Sequence, residues 1–345
     1  MTRIRTSHVG SLPKPAWLAA PEQLRAPWRL EGAALREGQD DAVALWLAEQ
    51  ARAGLDIVTD GEVRRRHYIW GFLEAVAKVD FEQQAMRPMR GGRYAAQSAA
   101  PRIMSALEWQ GPVLAEALAF ARARSALPVK VTLPGPMTTA DSVVDTAGRR
   151  DDEAFAMAFA EILNREARAL DAAGADVIQI DEPCFNVYTD EVARWGVAAL
   201  ERAFEGVRAK RAVHICYGYG TELVLAWKTK NTEWGHYAKT LPLLAGSSIQ
   251  QVSVECAASG VDPAVLGVLK GKDVMVGVID VGTEAVETPD AVARRIEHAL
   301  AHVTAPNLIA CTDCGMVPRS RAAAAGKLCA LVEGARLVEG TAIRP

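Results

Sequence analysis

The sequence lacks long apolar stretches and any marked excess of charge of one sign. No run of about eighteen apolar residues is free of charged side chains, so no transmembrane helix is predicted. The N-terminal stretch MTRIRTSHVGSLPKP has no apolar core of the kind that a secretion signal requires. The formal net charge is only -3, which provides no basic face for nucleic acid or for an anionic membrane. We therefore expect a soluble cytoplasmic protein that binds a small, roughly neutral ligand and has no nucleic-acid or membrane partner.

Cysteine is also scarce, and its spacing does not indicate cross-links. The chain of 345 residues has six cysteines, which lack the clustered loop spacing of a disulfide framework. Reduced thiols are therefore expected. The positions are Cys184, Cys216, Cys256, Cys311, Cys314 and Cys329.

Short apolar runs alternate with predicted helices along most of the chain. Eight runs end at Val9, Thr59, Leu133, Ile180, Cys216, Glu255, Asp280 and Cys311. Helices are predicted at 31–54, 111–125, 151–173, 191–210, 234–244, 262–270, 288–302 and 319–339. Eight parallel strands close a β/α barrel, and continuous runs such as VMVGVI and DVIQI are typical of a sheet covered on both faces. The sequence therefore predicts an α/β fold, a (β/α)8 TIM barrel that forms one domain over residues 1–345.

A doubly wound open sheet is the competing fold. No G-x-G-x-x-G fingerprint follows the first predicted strand, which argues against it.

Residues 67–110 interrupt the alternation of helices and apolar runs. Within them, the stretch 87–93 is basic and contains glycine. We expect this segment to be an insertion that covers a site as a lid.

Nearly every predicted strand is followed by a polar side chain. In a β/α barrel the catalytic groups lie where the strands end at their carboxyl ends. Acidic residues in such turns also cap helices, so any one of these positions has a purely structural explanation, whereas the whole set does not. The set consists of Ser11, Glu62, Asp181, Glu182, His214, Cys216, Glu255, Asp280 and Cys314.

Four of these residues suggest a zinc site. His214 and Cys216 are two apart in a strand and so point to the same side, although a His-x-Cys pair alone is more typical of packing. Glu255 and Cys314 follow the sixth and eighth predicted strands, where their side chains can converge on the same ion. Zinc prefers about four ligands drawn from thiolate, imidazole and carboxylate. Cys311 falls inside an apolar run and is interpreted as core.

These motifs together resemble a known family. The stretches are Gly10-Ser11, Asp60-Gly61-Glu62, LPGP at 133–136, IQIDEP at 178–183, HIC at 214–216, VE at 254–255 and DCG at 313–315. In content and order they are similar to the catalytic barrel of cobalamin-independent methionine synthase, especially its short branch, which has a single barrel. The resemblance implies a zinc ion held by His214, Cys216, Glu255 and Cys314, and methyl transfer to the thiol of homocysteine.

General chemistry is consistent with that assignment. Coordination to zinc deprotonates a thiol and leaves it able to attack. Glu255 is a more exchangeable ligand than a thiolate, so we hypothesise that it yields to the incoming thiol. The substrate ammonium suits Glu62 and Asp181, while its carboxylate suits the backbone and hydroxyl groups of Gly10 and Ser11.

One element of the family pattern is missing. The seventh strand of the long, folate-using enzymes ends in Asp-x-His, whereas this chain has Asp280-Val281-Gly282. A tertiary amine must be protonated before it can leave, so either Asp280, a water or another group such as His8 supplies the proton, or the donor is not methyl-folate. A methyl-corrinoid, either free or delivered by a partner protein, would need no such acid. The remaining histidines are interpreted as surface or loop residues: His67, His236, His298 and His302. Four aromatic residues after the fifth predicted strand either stack on a flat donor or pack under a lid: Tyr217, Tyr219, Trp227 and Trp234.

Three other functions remain open on the sequence alone. The first is a zinc-dependent alkyltransferase for another thiol such as coenzyme M, although Glu62 and Asp181 suit a sulfonate poorly. The second is a metal-free lyase resembling uroporphyrinogen decarboxylase. The third is a zinc-binding or homocysteine-sensing protein without turnover.

Overall fold

The computed structural model describes residues 3–20, 24–149, 151–231 and 233–341. The strands are β1 (Arg5–Thr6), β2 (Val79–Arg87), β3 (Ser98–Ile103), β4 (Lys130–Pro134), β5 (Val144–Asp145), β6 (Val177–Asp181), β7 (Lys210–Ile215), β8 (Gln251–Val254), β9 (Asp273–Ile279) and β10 (Leu308–Thr312). The helices are α1 (Gly32–Ala53), α2 (Trp70–Leu73), α3 (Ala115–Arg122), α4 (Pro136–Asp141), α5 (Asp152–Ala172), α6 (Thr189–Glu191), α7 (Val197–Ala203), α8 (Glu222–Lys230), α9 (His236–Ala245), α10 (Pro289–Leu300) and α11 (Arg321–Thr341). In these ranges we find no helix whose length and apolar character would let it cross a membrane.

A curled, seven-stranded parallel sheet forms the framework, in the order β1-β10-β9-β8-β7-β6-β4. Strands β6, β8, β9 and β10 are buried along their whole length, as their continuous apolar sequences predict. Because all neighbouring strands are parallel, their carboxyl ends lie on one rim. The predicted α/β class with a parallel sheet is confirmed.

The two edge strands of this sheet, β1 and β4, both contact residues 56–58. The backbone N–H of Asp56 donates to the Thr6 carbonyl over 3.1 Å. On the other side, Val58 pairs in parallel with Val129, and the Lys130 N–H donates to the Val58 carbonyl over 2.8 Å. The predicted strand ending at Thr59 is thus an isolated bridge rather than a full strand.

Most of the buried apolar side chains belong to one cluster that extends from Ile4 to Val338. A smaller cluster fills the interior of the sheet and consists of Val9, Ile57, Met275, Ile309 and Cys311. Cys311 is fully buried there, which confirms its interpretation as core.

Three elements differ from the sequence-based expectation. Residues 67–110 contain α2 and the antiparallel pair β2–β3, which β5 extends into a second, three-stranded sheet. The predicted helix at 262–270 is a 3-10 helix, Pro263–Leu269, and Gly267 inside it disfavours the α-helical form. Helix α8 was not predicted, since its sequence, ELVLAWKTK, has only one buried position and no clear apolar face.

Candidate metal centre

Three predicted ligands meet at the rim of the sheet. The ligand atoms of His214, Cys216 and Cys314 all lie within 4.8 Å of one another, and all three side chains are buried. The two sulfur atoms are 3.5 Å apart, far beyond the roughly 2.05 Å of a disulfide bond. His214 lies on β7, Cys216 directly follows it, and Cys314 follows β10, so the ends of two strands on one rim supply the group.

The imidazole of His214 is held as a metal ligand would be. Its Nδ1 lies 2.8 Å from the hydroxyl of Ser253, which is the residue paired with His214 on β8. Its Nε2 is buried and has no hydrogen-bond partner among the residues that the structure describes. A ligating histidine typically uses one ring nitrogen for the metal while a neighbour orients the other. One imidazole nitrogen and two sulfurs are donors that zinc prefers, so these residues fit that ion.

The two thiols share one proton between them. The hydrogen bond from the thiol of Cys314, together with nearby His214, holds the pKa of Cys216 well below its ordinary value. The same hydrogen bond and burial raise the pKa of Cys314. Cys216 therefore loses its proton more readily than an isolated thiol does.

Glu255, the predicted fourth ligand, lies outside the three-residue group. One of its carboxylate oxygens accepts the Tyr217 N–H over 2.9 Å, and the other lies 2.6 Å from the Lys228 ammonium. Burial raises the pKa of Glu255 to about 8, and the Lys228 charge opposes that rise. Burial lowers the pKa of Lys228, but the Glu255 carboxylate outweighs it, so the pKa lies above its ordinary value. The sequence reasoning missed Lys228, which lies on the unpredicted helix α8.

A cavity of about 270 Å³ opens above the metal group. Asp181, His214, Cys216 and Cys314 line its floor. Its walls come from the insertion 67–110 and from residues 218–224, and they are mainly apolar and aromatic. Such a cavity suits a small ligand that has few polar groups.

Residues 67–110 contribute the part of the cavity lining that we call the roof. The roof is anchored to the rest of the chain on two sides. Arg90 is an ion-pair partner of Asp141 and donates to the Tyr68 hydroxyl over 3.1 Å. The Tyr94 hydroxyl donates to the carbonyl of Tyr217, the residue after Cys216, over 2.6 Å. Arg90, Gly91 and Gly92 all have positive φ, which makes the turn between the two anchors sharp.

The predicted substrate carboxylates lie side by side at the strand ends. Asp181 accepts a hydrogen bond from Gln179 over 2.7 Å, and burial raises its pKa to about 7. Glu62 accepts one from the Thr132 hydroxyl over 2.6 Å and has a φ of 56°, one of two positive values outside glycine among the described residues. Such backbone conformations are often stored at functional sites.

Gly10 and Ser11 lie next to Glu62. A Cβ on Gly10 would come within 2.6 Å of the Glu62 carboxylate, so only glycine fits. The Ser11 hydroxyl is 3.1 Å from the hydroxyl of Tyr219, which lines the cavity. Gly10, Ser11 and Glu62 do not line the cavity directly and lie just behind its wall.

The two predicted proton donors do not line the cavity. His8 is buried, its Nε2 bonds to Gln50 over 2.9 Å, and burial lowers its pKa to about 3. Asp280 accepts the Gly282 N–H over 2.6 Å, and a Cβ on Gly282 would lie 2.8 Å from Leu225 of α8. A side chain at position 282 would thus crowd Leu225, and neither predicted proton donor lines the cavity.

His67 lies in a loop, as one part of its interpretation predicts, but not at the surface. It is buried, lines the cavity and stacks on Trp70 at 4.2 Å between ring centres. Its Nδ1 accepts the backbone N–H groups of Ile69 and Trp70, each over 3.3 Å, and burial lowers its pKa to about 3. It is therefore a neutral wall residue, and only the folded insertion could reveal its position.

Of the four aromatic residues predicted after the fifth strand, only Tyr219 lines the cavity. Tyr217, Trp227 and Trp234 pack on one another, with ring centres 4.8 to 6.1 Å apart. The guanidinium of Arg93 lies 4.8 Å from the Trp227 ring centre, so these rings hold the roof in place.

A second group of possible ligands lies on the protein surface. Asp262, His298 and His302 also have ligand atoms within 4.8 Å of one another, but Asp262 and His298 are exposed. The group is relevant to any measurement of bound metal.

Comparison with known proteins adds independent information. Residues 4–337 match the family model described as the catalytic domain of the cobalamin-independent synthase. A methionine synthase of Sulfurisphaera tokodaii is 30% identical over 337 residues, which cover 96% of this chain and 92% of that protein. One of Saccharolobus solfataricus is 31% identical over 339 residues, which cover 96% and 94%. A solved B12-independent methionine synthase from Shewanella sp. W3-18-1, in complex with selenomethionine, has a TM-score of 0.94 and 44% identity over 99% of each chain.

Proposed function

We propose, starting from the fact that this chain belongs to the cobalamin-independent methionine synthase family, that it transfers a methyl group to the thiol of homocysteine and so forms methionine. The observation that carries the proposal is the buried group of His214, Cys216 and Cys314 at the floor of a cavity. The Shewanella relative was solved with selenomethionine, which is methionine with selenium in place of sulfur.

We propose that His214, Cys216 and Cys314 hold a zinc ion, with Glu255 as an exchangeable fourth ligand. The free Nε2 of His214 and the thiolate shared by the two cysteines support this assignment. Bound zinc supplies a positive charge that ionises a coordinated thiol near neutral pH.

The remaining strand ends would orient the substrate. Asp181 and Glu62 would bind its ammonium group, and Gly10 and Ser11 would bind its carboxylate. The position of Asp181 on the cavity floor, beside His214, supports its part of this assignment. Because the chain length of homocysteine limits how far its thiol lies from its ammonium and carboxylate groups, binding of those two groups would place the thiol near Cys216 and Cys314.

We also infer that the sheet is a closed (β/α)8 barrel and that the chain is one domain. Residues 56–58 hydrogen-bond to β1 on one side and β4 on the other, and so take the place of an eighth strand. Closure would fix the spacing of the strand ends that carry the site.

The methyl donor is proposed to be a methyl-corrinoid rather than methyl-folate. A corrinoid cobalt leaves without a proton, whereas the amine of methyl-folate needs an acid. His8 and Asp280 do not line the cavity, and His67 is held neutral. Since a corrin ring is larger than the cavity, the methyl-corrinoid would react at its mouth, either as the free molecule or carried by a partner protein.

The test is direct. Zinc-loaded protein and homocysteine would be incubated with methyl-folate and, separately, with methylcobalamin, and methionine would be measured. Methionine from methylcobalamin alone is expected. Methionine from methyl-folate would overturn the donor assignment, and no product from either donor with zinc fully bound would overturn the self-sufficient transferase.

The other functions considered above are not favoured, because the relatives are methionine synthases. We propose a cytoplasmic location because Cys216 and Cys314 must be reduced to bind a metal ion. All six cysteines are free thiols in the structure.

A further inference from the structure

Lys228 forms a buried ion pair with the predicted fourth ligand. Its side chain is 8% exposed and that of Glu255 is 0% exposed, with 2.6 Å between the ammonium and the carboxylate. The carbonyl of Gly218 lies 3.5 Å from the same ammonium. Lys228 comes from α8, whereas Glu255 follows β8, so the folded chain brings them together over 27 positions.

A buried carboxylate needs a positive partner, because removal from water is costly for an unpaired charge. Two positive partners are within reach of the end of β8. One is the ammonium of Lys228, and the other is an ion held by the three-residue group. The N–H of Tyr217, the residue after Cys216, donates to one carboxylate oxygen of Glu255 over 2.9 Å, and the other oxygen contacts Lys228, so the carboxylate is held next to the residue that follows a predicted ligand.

We propose that Lys228 is a positioning residue that competes with the zinc for the Glu255 carboxylate, so that this exchangeable ligand yields its place to the thiol of homocysteine. This inference rests on the proposed function. It assigns a role to a residue of α8, a helix that the sequence did not predict.

The inference predicts opposite effects on two affinities. Without the Lys228 ammonium, the Glu255 carboxylate has only the zinc ion as a positive partner, so it should remain bound to the zinc as a ligand. Zinc should then bind more tightly and homocysteine more weakly. A residue that only stabilised the fold would instead weaken both affinities or change neither.

The experiment compares Lys228→Met with Lys228→Arg, which keeps a cation, and with Lys230→Met, an exposed lysine of the same helix. All variants carry His298→Ala and His302→Ala, so that the surface group does not bind metal. Zinc affinity is measured by competition with a chromophoric chelator. Homocysteine affinity is measured from the thiolate-to-metal absorption of the Co²⁺-substituted protein, which reports ligation directly.

For Lys228→Met we expect zinc to bind at least about tenfold more tightly and homocysteine at least about tenfold more weakly. Lys230→Met and Lys228→Arg should resemble the parent protein. The double variant Lys228→Met/Glu255→Gln removes both charges, so it should fold and should lose the gain in zinc affinity. Circular dichroism and the melting temperature verify folding of each variant.

The inference is overturned if Lys228→Met leaves both affinities within about threefold of the parent, or if zinc binding weakens in Lys228→Met but not in the double variant. These results would leave the proposed function standing. A parent protein that binds neither Zn²⁺ nor Co²⁺, or whose Co²⁺ absorption does not respond to homocysteine, would instead overturn the proposed function itself.

Discussion

At the scale of single residues, the two cysteines of the C-x-x-C stretch have different surroundings. Cys314 lies 3.5 Å from Cys216 at the cavity floor, whereas Cys311 packs inside the sheet beside Met275 and Val9. Burial raises the pKa of Cys311 to about 12, so its thiol stays protonated. Only one of the pair is in a position to ligate.

Cys314→Ser should therefore weaken zinc binding by at least about tenfold, because a hydroxyl is a poor zinc ligand. Cys311→Ser is the matched control and should keep the metal. Metal content after dialysis against a weak chelator measures both. Retention of zinc by Cys314→Ser together with its loss from Cys311→Ser would reverse the assignment.

His8 makes the stability of the protein depend on pH. Gln50 donates its amide to the carbonyls of Trp46 and Thr59, so its oxygen must accept from Nε2 of His8. A second proton would go to Nδ1, which is buried without an acceptor. Burial accordingly lowers the pKa from 6.5 to about 3 in the folded state.

Between pH 6.5 and about 3, the unfolded chain binds a proton at His8 and the folded chain does not. Stability from this group is thus fully present above pH 6.5 and is lost as the pH falls, by up to about 1.4 kcal/mol per pH unit. His8→Gln should remove the contribution of His8 to the change in the free energy of unfolding between pH 7 and pH 5, which urea unfolding at the two pH values measures. The control His298→Gln, on the exposed face of α10, should keep the slope, and an unchanged slope in His8→Gln would contradict the assignment.

At the scale of elements, the insertion is a fixed roof with defined anchors. The ion pair of Arg90 with Asp141 and its hydrogen bond to Tyr68 hold one end of the turn at 89–92. A lysine has one ammonium on a flexible stem and does not reproduce the planar, divergent donors of a guanidinium. Arg90 itself has a φ of 55°, so its contacts must also offset backbone strain.

Arg90→Lys should therefore loosen the roof without unfolding the protein. Hydrogen exchange of the amides at 89–94 should become at least about tenfold faster, while that of β6 to β9 stays unchanged. Arg102→Lys on β3, which does not line the cavity, is the control. Equal exchange in the two variants would show that Arg90 does not anchor the turn.

The alternating strands and helices of the main sheet could be predicted from the sequence, whereas helix α8 and the three-stranded sheet β2-β3-β5, which fall outside that alternation, could not. His214, Cys216 and Cys314 were identifiable because parallel strands bring their carboxyl ends to one rim, so position along the chain translates into position in space. Lys228 could not be identified from the sequence, because α8 has no apolar periodicity and no local motif links Lys228 to Glu255. His8 resembled a candidate acid by its place beside Gly10, and only the packing of Gln50 against it shows that its ring is turned away from the cavity.

At the scale of the whole molecule, stability depends on the seam formed by residues 56–58, which hydrogen-bond to β1 on one side and to β4 on the other. The Asp56 carboxylate accepts bonds from the backbone N–H and the hydroxyl of Thr6, over 2.8 and 2.9 Å. These bonds supplement the backbone contacts of residues 56–58 with β1. The seam joins the first strand to a segment some fifty residues later, at the edge of the main core cluster.

Asp56→Ala should lower the free energy of unfolding by about 1–3 kcal/mol, since it leaves two donors of Thr6 without their partner. Because the seam belongs to the main sheet, the loss should appear in the global unfolding transition and not as a separate early step. Urea unfolding followed by both circular dichroism and tryptophan emission measures this. Glu297→Ala, on the exposed side of α10, is the control, and a separate early transition in Asp56→Ala would contradict the single-domain assignment.

The placement of Tyr217 gives the protein a built-in optical reporter. Its N–H holds Glu255, its carbonyl holds Tyr94 of the roof, and its ring packs against Trp227 and Trp234. Any event that moves the peptide after Cys216 must also change the surroundings of two indoles. Loading with zinc, or addition of homocysteine, can therefore be followed by intrinsic emission without a label, and Trp227→Phe identifies the signal.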